Sequence, residues 1–283
     1  MLFIYVFNVE LGQSVFIMPK DSPEYAMLID CGNTPNFNPV DIFKGMLPKD
    51  SNYPYLPRLS NLTITNYDED HFSGLPYLLN NVKIQTVSLS GNLSVSDIKS
   101  IKVIITEPIK ALCQLKDTYT CDVVNYTPPY QRRMFSLSKS DFPNGAWDTN
   151  KLSQLVFLSY KDTTICIPGD LPSASWELLL NQREVTDYLG KTNIFIASHH
   201  GREDGYNADI FKFCQPECII VSDKYIIHGT QENMSSRYAR HVVGDGICFQ
   251  SDLTTRRKVI TTRNDGNIIM GFGENATRVY DKF

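Results

Sequence analysis

Short runs of β-branched and aromatic residues, each closed by a turn signal, set the rhythm of the chain. Residues 2–8, 14–18, 26–30 and 62–65 are predicted as strands, punctuated by Gly12, Gly32 and a Pro/Asn-rich loop around Pro35 and Pro39. A short helix is expected over 75–80, then strands over 83–89 and 103–106 with a helix over 95–100 between them. From 112 to 150 the periodicity is weak, with Pro128-Pro129, Arg132-Arg133 and Pro143-Asn144-Gly145, so this stretch reads as a variable insertion or lid. Strands resume over 154–160, 163–167, 193–197 and 218–222, with helices over 173–181 and 232–241. Closing strands are expected over 247–250, 258–262 and 267–272. No internal repeat or Gly/Ser-rich linker divides the chain, so residues 1–283 are read as one domain of α/β class, with sheets inside and helices outside.

Composition narrows the picture. An apolar fraction of 42% over 283 residues is enough for a packed core, which excludes disorder as the default. The formal net charge of −4 offers no general basic field, so a nucleic acid would have to be held by a local patch or by metal ions. Seven cysteines, an odd number without paired CxxC spacing, read as reduced and buried, and Cys214 with Cys218 lacks the second pair a zinc finger needs. The apolar N-terminus has no basic leader or cleavage signal, and no run approaches the roughly 18 apolar residues of a membrane helix. The expectation is a soluble, cytoplasmic protein that does not engage membranes.

Three strand ends carry chemistry. The first delivers Thr65-Asn66-Tyr67-Asp68-Glu69-Asp70-His71, with three acids and a histidine in four residues just before Gly74. Adjacent carboxylates repel and are costly to desolvate, so such a cluster is usually neutralised by a cation; a solvated acidic turn is the bland alternative. The second, Ser198-His199-His200-Gly201, places two of only five histidines at a strand end. The third, Pro168-Gly169-Asp170, is weak alone and gains weight from the repetition.

These segments resemble the metallo-β-lactamase signature in the form found in the nuclease-like domain of ComEC-type competence proteins. Asp68 stands at the second ligand position, Pro168-Gly169-Asp170 resembles the bridging aspartate and Ser198–Gly201 the late His-His-Gly motif. Val9–Ile17, Leu28–Gly32, Asn150–Leu158 and Thr262–Ile268 resemble further family motifs in order. Two departures stand out: Asn66 replaces the first histidine, and Gly12-Gln13 replaces Gly-Asp. The resemblance implies an αββα sandwich of two mixed sheets flanked by helices. It implies one metal pocket from Asp70, His71, Asp170 and His199 or His200, and a weakened second pocket from Asn66, Asp68 and a shared Asp170.

Zn²⁺ or Mn²⁺ is the expected cofactor, as one or two ions, with harder ions favoured at the oxygen-only second pocket. The implied activity is phosphodiester hydrolysis, with Asp68, Asp70, His200 and His228 as catalytic candidates. DNA or RNA is the substrate the resemblance suggests, with Arg132-Arg133 and Arg256-Arg257 as candidate backbone contacts. The acidic charge leaves room for a small phosphodiester such as a cyclic nucleotide as the alternative. A third reading is a degenerate binding or assembly module beside a protein partner, and a toxic effector in antiviral defence is a further role that such a domain type allows. His241, near Arg237 and Arg240, is expected at an exposed helix C-terminus where a cation is favoured.

Overall fold

The computed structural model describes residues 1–90, 92–122, 126–224, 229–250, 252–273 and 278–282. The first half of the chain supplies β1 (Leu2–Val6), β2 (Val15–Pro19), β3 (Met27–Ile29), β4 (Arg58–Ile64) and β5 (Lys83–Leu89). β6 (Gln131–Phe135), β7 (Leu155–Tyr160), β8 (Thr163–Ile167), β9 (Thr192–Ile196) and β10 (Cys218–Val221) follow. The last are β11 (Ile247–Phe249), β12 (Asp252–Arg257), β13 (Val259–Thr261), β14 (Ile268–Phe272) and β15 (Arg278–Lys282). They pair into a nine-stranded sheet, β12-β11-β15-β14-β1-β2-β3-β4-β5, and a six-stranded sheet, β13-β10-β9-β8-β7-β6. Both mix parallel and antiparallel pairs.

The period of two along each strand sorts residues between layers. Ile4, Val6, Val15 and Ile17 of the first sheet meet Val156, Leu158, Ile165, Ile167, Ile194 and Ile196 of the second in one buried cluster between the sheets. The alternate positions, Tyr5, Phe16, Phe157, Cys166 and Phe195, pack outward against helices. Burying each such aliphatic side chain contributes roughly 1.5–3 kcal/mol. Helices α1 (Val40–Phe43), α2 (Leu75–Asn81), α3 (Val95–Ile101) and α4 (Glu107–Thr118) belong to the first half of the chain. α5 (Ser173–Leu179), α6 (Arg183–Leu189), α7 (Gly229–Ala239) and the short α8 (Thr262–Asp265) belong to the second. The architecture is two mixed sheets flanked by helices, as the sequence implies.

Several expectations need correction. Residues 103–106 are not a strand: Val103 and Ile104 are 100% and 72% exposed in the connection between α3 and α4, where the β-branched run finds no sheet edge. The supposedly irregular 112–150 stretch contains most of α4, whose face of Ile109, Leu112, Cys113 and Leu115 is buried. It also contains β6, the edge strand beside β7. Arg132 of β6 is turned inward rather than toward a ligand, donating to Asn61 Oδ1 (2.5 Å) and Thr63 Oγ1 (2.9 Å) of β4. Arg133 pairs with Glu184 (2.7 Å), Arg256 donates to the Gly246 carbonyl and Arg257 reaches Asp265 (3.3 Å), all three arginines standing at the surface.

All seven cysteines are free; five are buried, while Cys121 is exposed and Cys248 half-buried. His241 is not the exposed cation expected of a helix terminus. It stacks on Phe211 (4.1 Å between centroids, 8° between planes) and lies 2.7 Å from the Tyr206 hydroxyl. Burial, with Arg237 and Arg240 nearby, holds its pKa below the ordinary histidine value. No helix among the described residues is long and apolar enough to cross a membrane.

Candidate metal centre

The centre is assembled where strands of the two sheets end. β4 and β3 are parallel neighbours, so the chain leaving β4 at Thr65 runs beside Asp30 at the end of β3. There the Thr65 amide donates to Asp30 Oδ1 (2.7 Å) and the Thr65 hydroxyl to Asp30 Oδ2 (2.5 Å). A 3-10 turn over Glu69–His71 then points Asp70 and His71 inward. The turn lies against the opening loop so closely that a Cβ on Gly12, whose φ is +123°, would sit 2.3 Å from the Asp70 carbonyl oxygen. Only glycine fits there.

In the second sheet β8 and β9 are also parallel, which brings the Asp170 loop beside the His199-His200 turn. The His199 amide donates to the Gly169 carbonyl (3.1 Å). Both histidines have left-handed backbones, φ 49° and 54°. That conformation costs a non-glycine residue about 1–2 kcal/mol, and it turns two consecutive side chains to different sides.

Four donors converge. The ligand atoms of Asp70, His71, Asp170 and His200 lie within 4.8 Å of one another. His71 Nε2 is 3.0 Å from Asp170 Oδ1, and His200 Nε2 is 3.5 Å from both Asp170 Oδ1 and Asp70 Oδ2. Each imidazole is anchored at its other nitrogen. His71 Nδ1 lies 2.8 Å from Asp30 Oδ2, and His200 Nδ1 lies 3.0 Å from the Ser222 carbonyl, where it donates. Those acceptors keep a proton on Nδ1 and leave Nε2 facing the centre, the arrangement of a metal-ligating histidine. Asp30 is fully buried and is itself held by Gln13 Nε2 (2.9 Å) as well as by Thr65.

The convergent atoms have no other occupation. His71 Nε2, His200 Nε2 and Asp170 Oδ1 are buried and face only members of this group, with His71 Nε2 and Asp170 Oδ1 3.0 Å apart. Burial opposes charge on every group here, yet the mutual fields prevail. Burial pushes Asp70 and Asp170 up, but His200 and His71 pull both below the usual carboxylate range, Asp170 strongly. Burial depresses His200 and His71, but Asp170 lifts His200 to about 9, and Asp170 with Asp30 lifts His71 well above its ordinary value. Two imidazole nitrogens and two carboxylates in a buried group are the donor set that a divalent cation such as Zn²⁺ takes. A cation there would engage all four side chains together.

The other candidates stand apart. His199 Nε2 is 4.0 Å from Asp170 Oδ2 but accepts from Arg202 Nη1 (3.0 Å), and His199 Nδ1 lies 3.0 Å from Asp204. Asn66 donates through Nδ2 to Asn150 Oδ1 (2.7 Å) and Ser153 Oγ (3.0 Å), while its Oδ1 accepts from the Asp68 amide (2.6 Å). Asp68 Oδ1 accepts from Lys102 Nζ and Thr149 Oγ1, both at 2.8 Å. Neither Asn66 nor Asp68 joins the convergent four. His228 lies outside the described residues. Sequence reasoning gave no role to Asp30 or Ser222. The usable signal for Asp30 was an acid closing a fully apolar strand; for Ser222, whose contribution is a backbone carbonyl, there was none.

No protein-family model matches the chain, and no curated protein does. Among solved structures the chain is similar to unliganded yeast PDE1, with 10% identity over 92% of this chain and 98% of that one and a TM-score of 0.53. It is similar to CmlA, a diiron β-hydroxylase from Streptomyces venezuelae, with 13% identity over 99% of this chain and 54% of that one and a TM-score of 0.50. The metallo-β-lactamase fold protein YhfI from Bacillus subtilis aligns with 11% identity over 94% and 99% of the two chains and a TM-score of 0.49. At such identities the likeness is one of fold.

Proposed function

We propose that the chain is a metal-dependent phosphodiesterase that holds one divalent cation, Zn²⁺ or Mn²⁺, through Asp70, His71, Asp170 and His200. The observation that carries this reading is the convergence of two imidazoles and two carboxylates from different strand ends, their ligand atoms within 4.8 Å of one another and largely buried. A bound cation supplies Lewis acidity toward a phosphoryl oxygen. The protein's own residues do the rest. Asp30 and the Ser222 carbonyl fix the two imidazoles, and Asp70, with a side chain 32% exposed, forms the open side where substrate arrives. Arg202, resting on His199 beside Asp170, sets a guanidinium at the rim for a nonbridging phosphate oxygen.

The chemistry assigned to the site follows the order of motifs along the chain, which resembles ComEC-type nuclease domains; the fold alone would also suit oxidative chemistry. Within phosphodiester hydrolysis a small substrate is favoured over DNA or RNA. Of the expected backbone contacts Arg132 is turned into the fold, and Arg133, Arg256 and Arg257 each make an intramolecular contact at the surface, so the four form no continuous basic track. The reading is tested by following bis-(p-nitrophenyl) phosphate hydrolysis with added Zn²⁺ or Mn²⁺. Turnover that requires the metal and disappears in Asp170→Ala is expected; equal turnover in that variant or under chelator would overturn it. A noncatalytic binding or assembly module would instead bind no metal and turn nothing over.

A further inference from the structure

Beside the centre lies a groove of about 350 Å³ to which the hydrolytic reading assigns nothing; its lining includes Asp68, Ile101, Lys102, Trp147, Asp148 and Thr149. We infer that this groove is a nucleobase subsite, so that the substrate is a phosphoester of a nucleoside, with Trp147 as the stacking surface. The inference rests on the proposed phosphodiesterase and names its substrate class.

Position comes first. Asp68 is two residues from the ligand Asp70, a span of at most about 7 Å along the chain. The groove wall is therefore continuous with the loop that carries the centre. Three separate segments are drawn together there by one carboxylate, since Asp68 Oδ1 accepts both from Lys102 just past α3 and from Thr149 of the 112–150 segment. Asp68 thereby ties together the segments that line the groove, a role that accounts for an acid at this position without a metal.

Lining chemistry selects the occupant. Trp147 is one of two tryptophans in the chain; the other, Trp176, is fully buried in the core. The Trp147 indole is partly buried at the groove, rests against the hydrophobic core and carries the Lys139 ammonium 4.8 Å from its ring centroid. An acyl chain would ask for aliphatic walls, and Ile101 is the sole aliphatic side chain among the lining residues. A polyphosphate would meet the carboxylates of Asp68 and Asp148. A planar heterocycle with its own donors and acceptors suits both halves of the lining, stacking on the indole while its edge meets Asp148 and the hydrogen-bonding capacity that the Asp68–Lys102–Thr149 cluster has left beyond its own two bonds. The volume falls within the range of small-ligand sites.

The test reads binding rather than turnover. The full chain, in chelator and again with Zn²⁺, is titrated with adenosine 5′-monophosphate and with ribose 5-phosphate while tryptophan fluorescence is followed and affinity is measured by calorimetry. Adenosine monophosphate is expected to quench the emission and ribose 5-phosphate to leave it unchanged, because Trp176 is sealed in the core. Trp147→Ala should weaken adenosine monophosphate binding roughly ten- to a hundredfold, the worth of one base stack. Trp147→Phe should keep the affinity within a few fold while losing the quench. Near-ultraviolet circular dichroism establishes that both variants fold. The inference is overturned if wild type binds the two probes equally or not at all, or if Trp147→Ala binds the nucleotide as tightly as wild type. A chain that quenches with the nucleotide but hydrolyses no phosphodiester would leave the subsite standing and remove the activity.

Discussion

Asp68 and Asp70 are two residues apart on one loop, yet their carboxylates do different work. Asp70 turns inward to His200, Asp170 and His71, where the atoms that face it have no partner outside the group. Asp68 turns outward to a lysine and a threonine that satisfy it. Asn66 sides with Asp68, its amide consumed by Asn150, Ser153 and a backbone N–H. The difference teaches that a ligand is recognised by what its neighbours leave undone. A carboxylate already held by an ammonium has little to gain from a cation, whereas buried imidazoles and carboxylates that face only one another can all turn to one shared ion.

The largest effect separating the two regions is expected from the ligands. In His71→Ala or Asp170→Ala the metal retained after desalting, measured by atomic emission, should fall from about one ion per chain to background. Retained metal would place the ion elsewhere. Next comes the support beneath them. Asp30→Asn keeps the shape but weakens the anchor on His71, and metal affinity should drop about 10- to 100-fold in a competition titration with a chromogenic chelator. An unchanged affinity would mean that His71 is oriented by packing alone.

The opposite outcome is expected across the loop. Asp68→Asn should leave metal content unchanged and cost no more than about 1 kcal/mol in urea unfolding, because its ion pair with Lys102 is partly exposed. A loss of metal in this variant would erase the distinction between the two carboxylates.

The smallest effect concerns a histidine outside both regions. His241 is held below its ordinary value by burial and by Arg237 and Arg240, so folding favours its neutral form. Its stabilising contribution is complete above the unfolded value of 6.5 and is lost as pH falls below it. The loss of Tm between about pH 7 and about pH 5.5 should therefore be smaller in His241→Phe than in wild type. An equal loss in both would show that this imidazole does not titrate with unfolding.

Where chemistry is concentrated locally, the sequence was legible. Asp70 and His71, Asp170 and the histidine pair each follow an apolar strand; parallel pairing brings the ends of β8 and β9 together in one sheet, and packing of the two sheets against each other adds the end of β4. Which of His199 and His200 faces the centre was not legible, because two successive left-handed residues decide it and neither is a glycine. Asp68 misled for a related reason: its partners Lys102 and Thr149 lie 34 and 81 residues away, and only the fold brings them close. The run Val103-Ile104-Ile105 has strand composition without a sheet edge to join. β6 was hidden because an edge strand tolerates charge, and one of its arginines is drawn between the layers by Asn61 and Thr63.

The central claim is that one ion is shared by donors from three strand ends. Crystals grown with Zn²⁺ and measured across the zinc absorption edge test it most directly. An anomalous peak about 2.0–2.2 Å from both His71 Nε2 and His200 Nε2, with oxygen atoms of Asp70 and Asp170 completing the shell, is the predicted result. A peak between Asn66 and Asp68, or none near the two imidazoles at saturating metal, would contradict it.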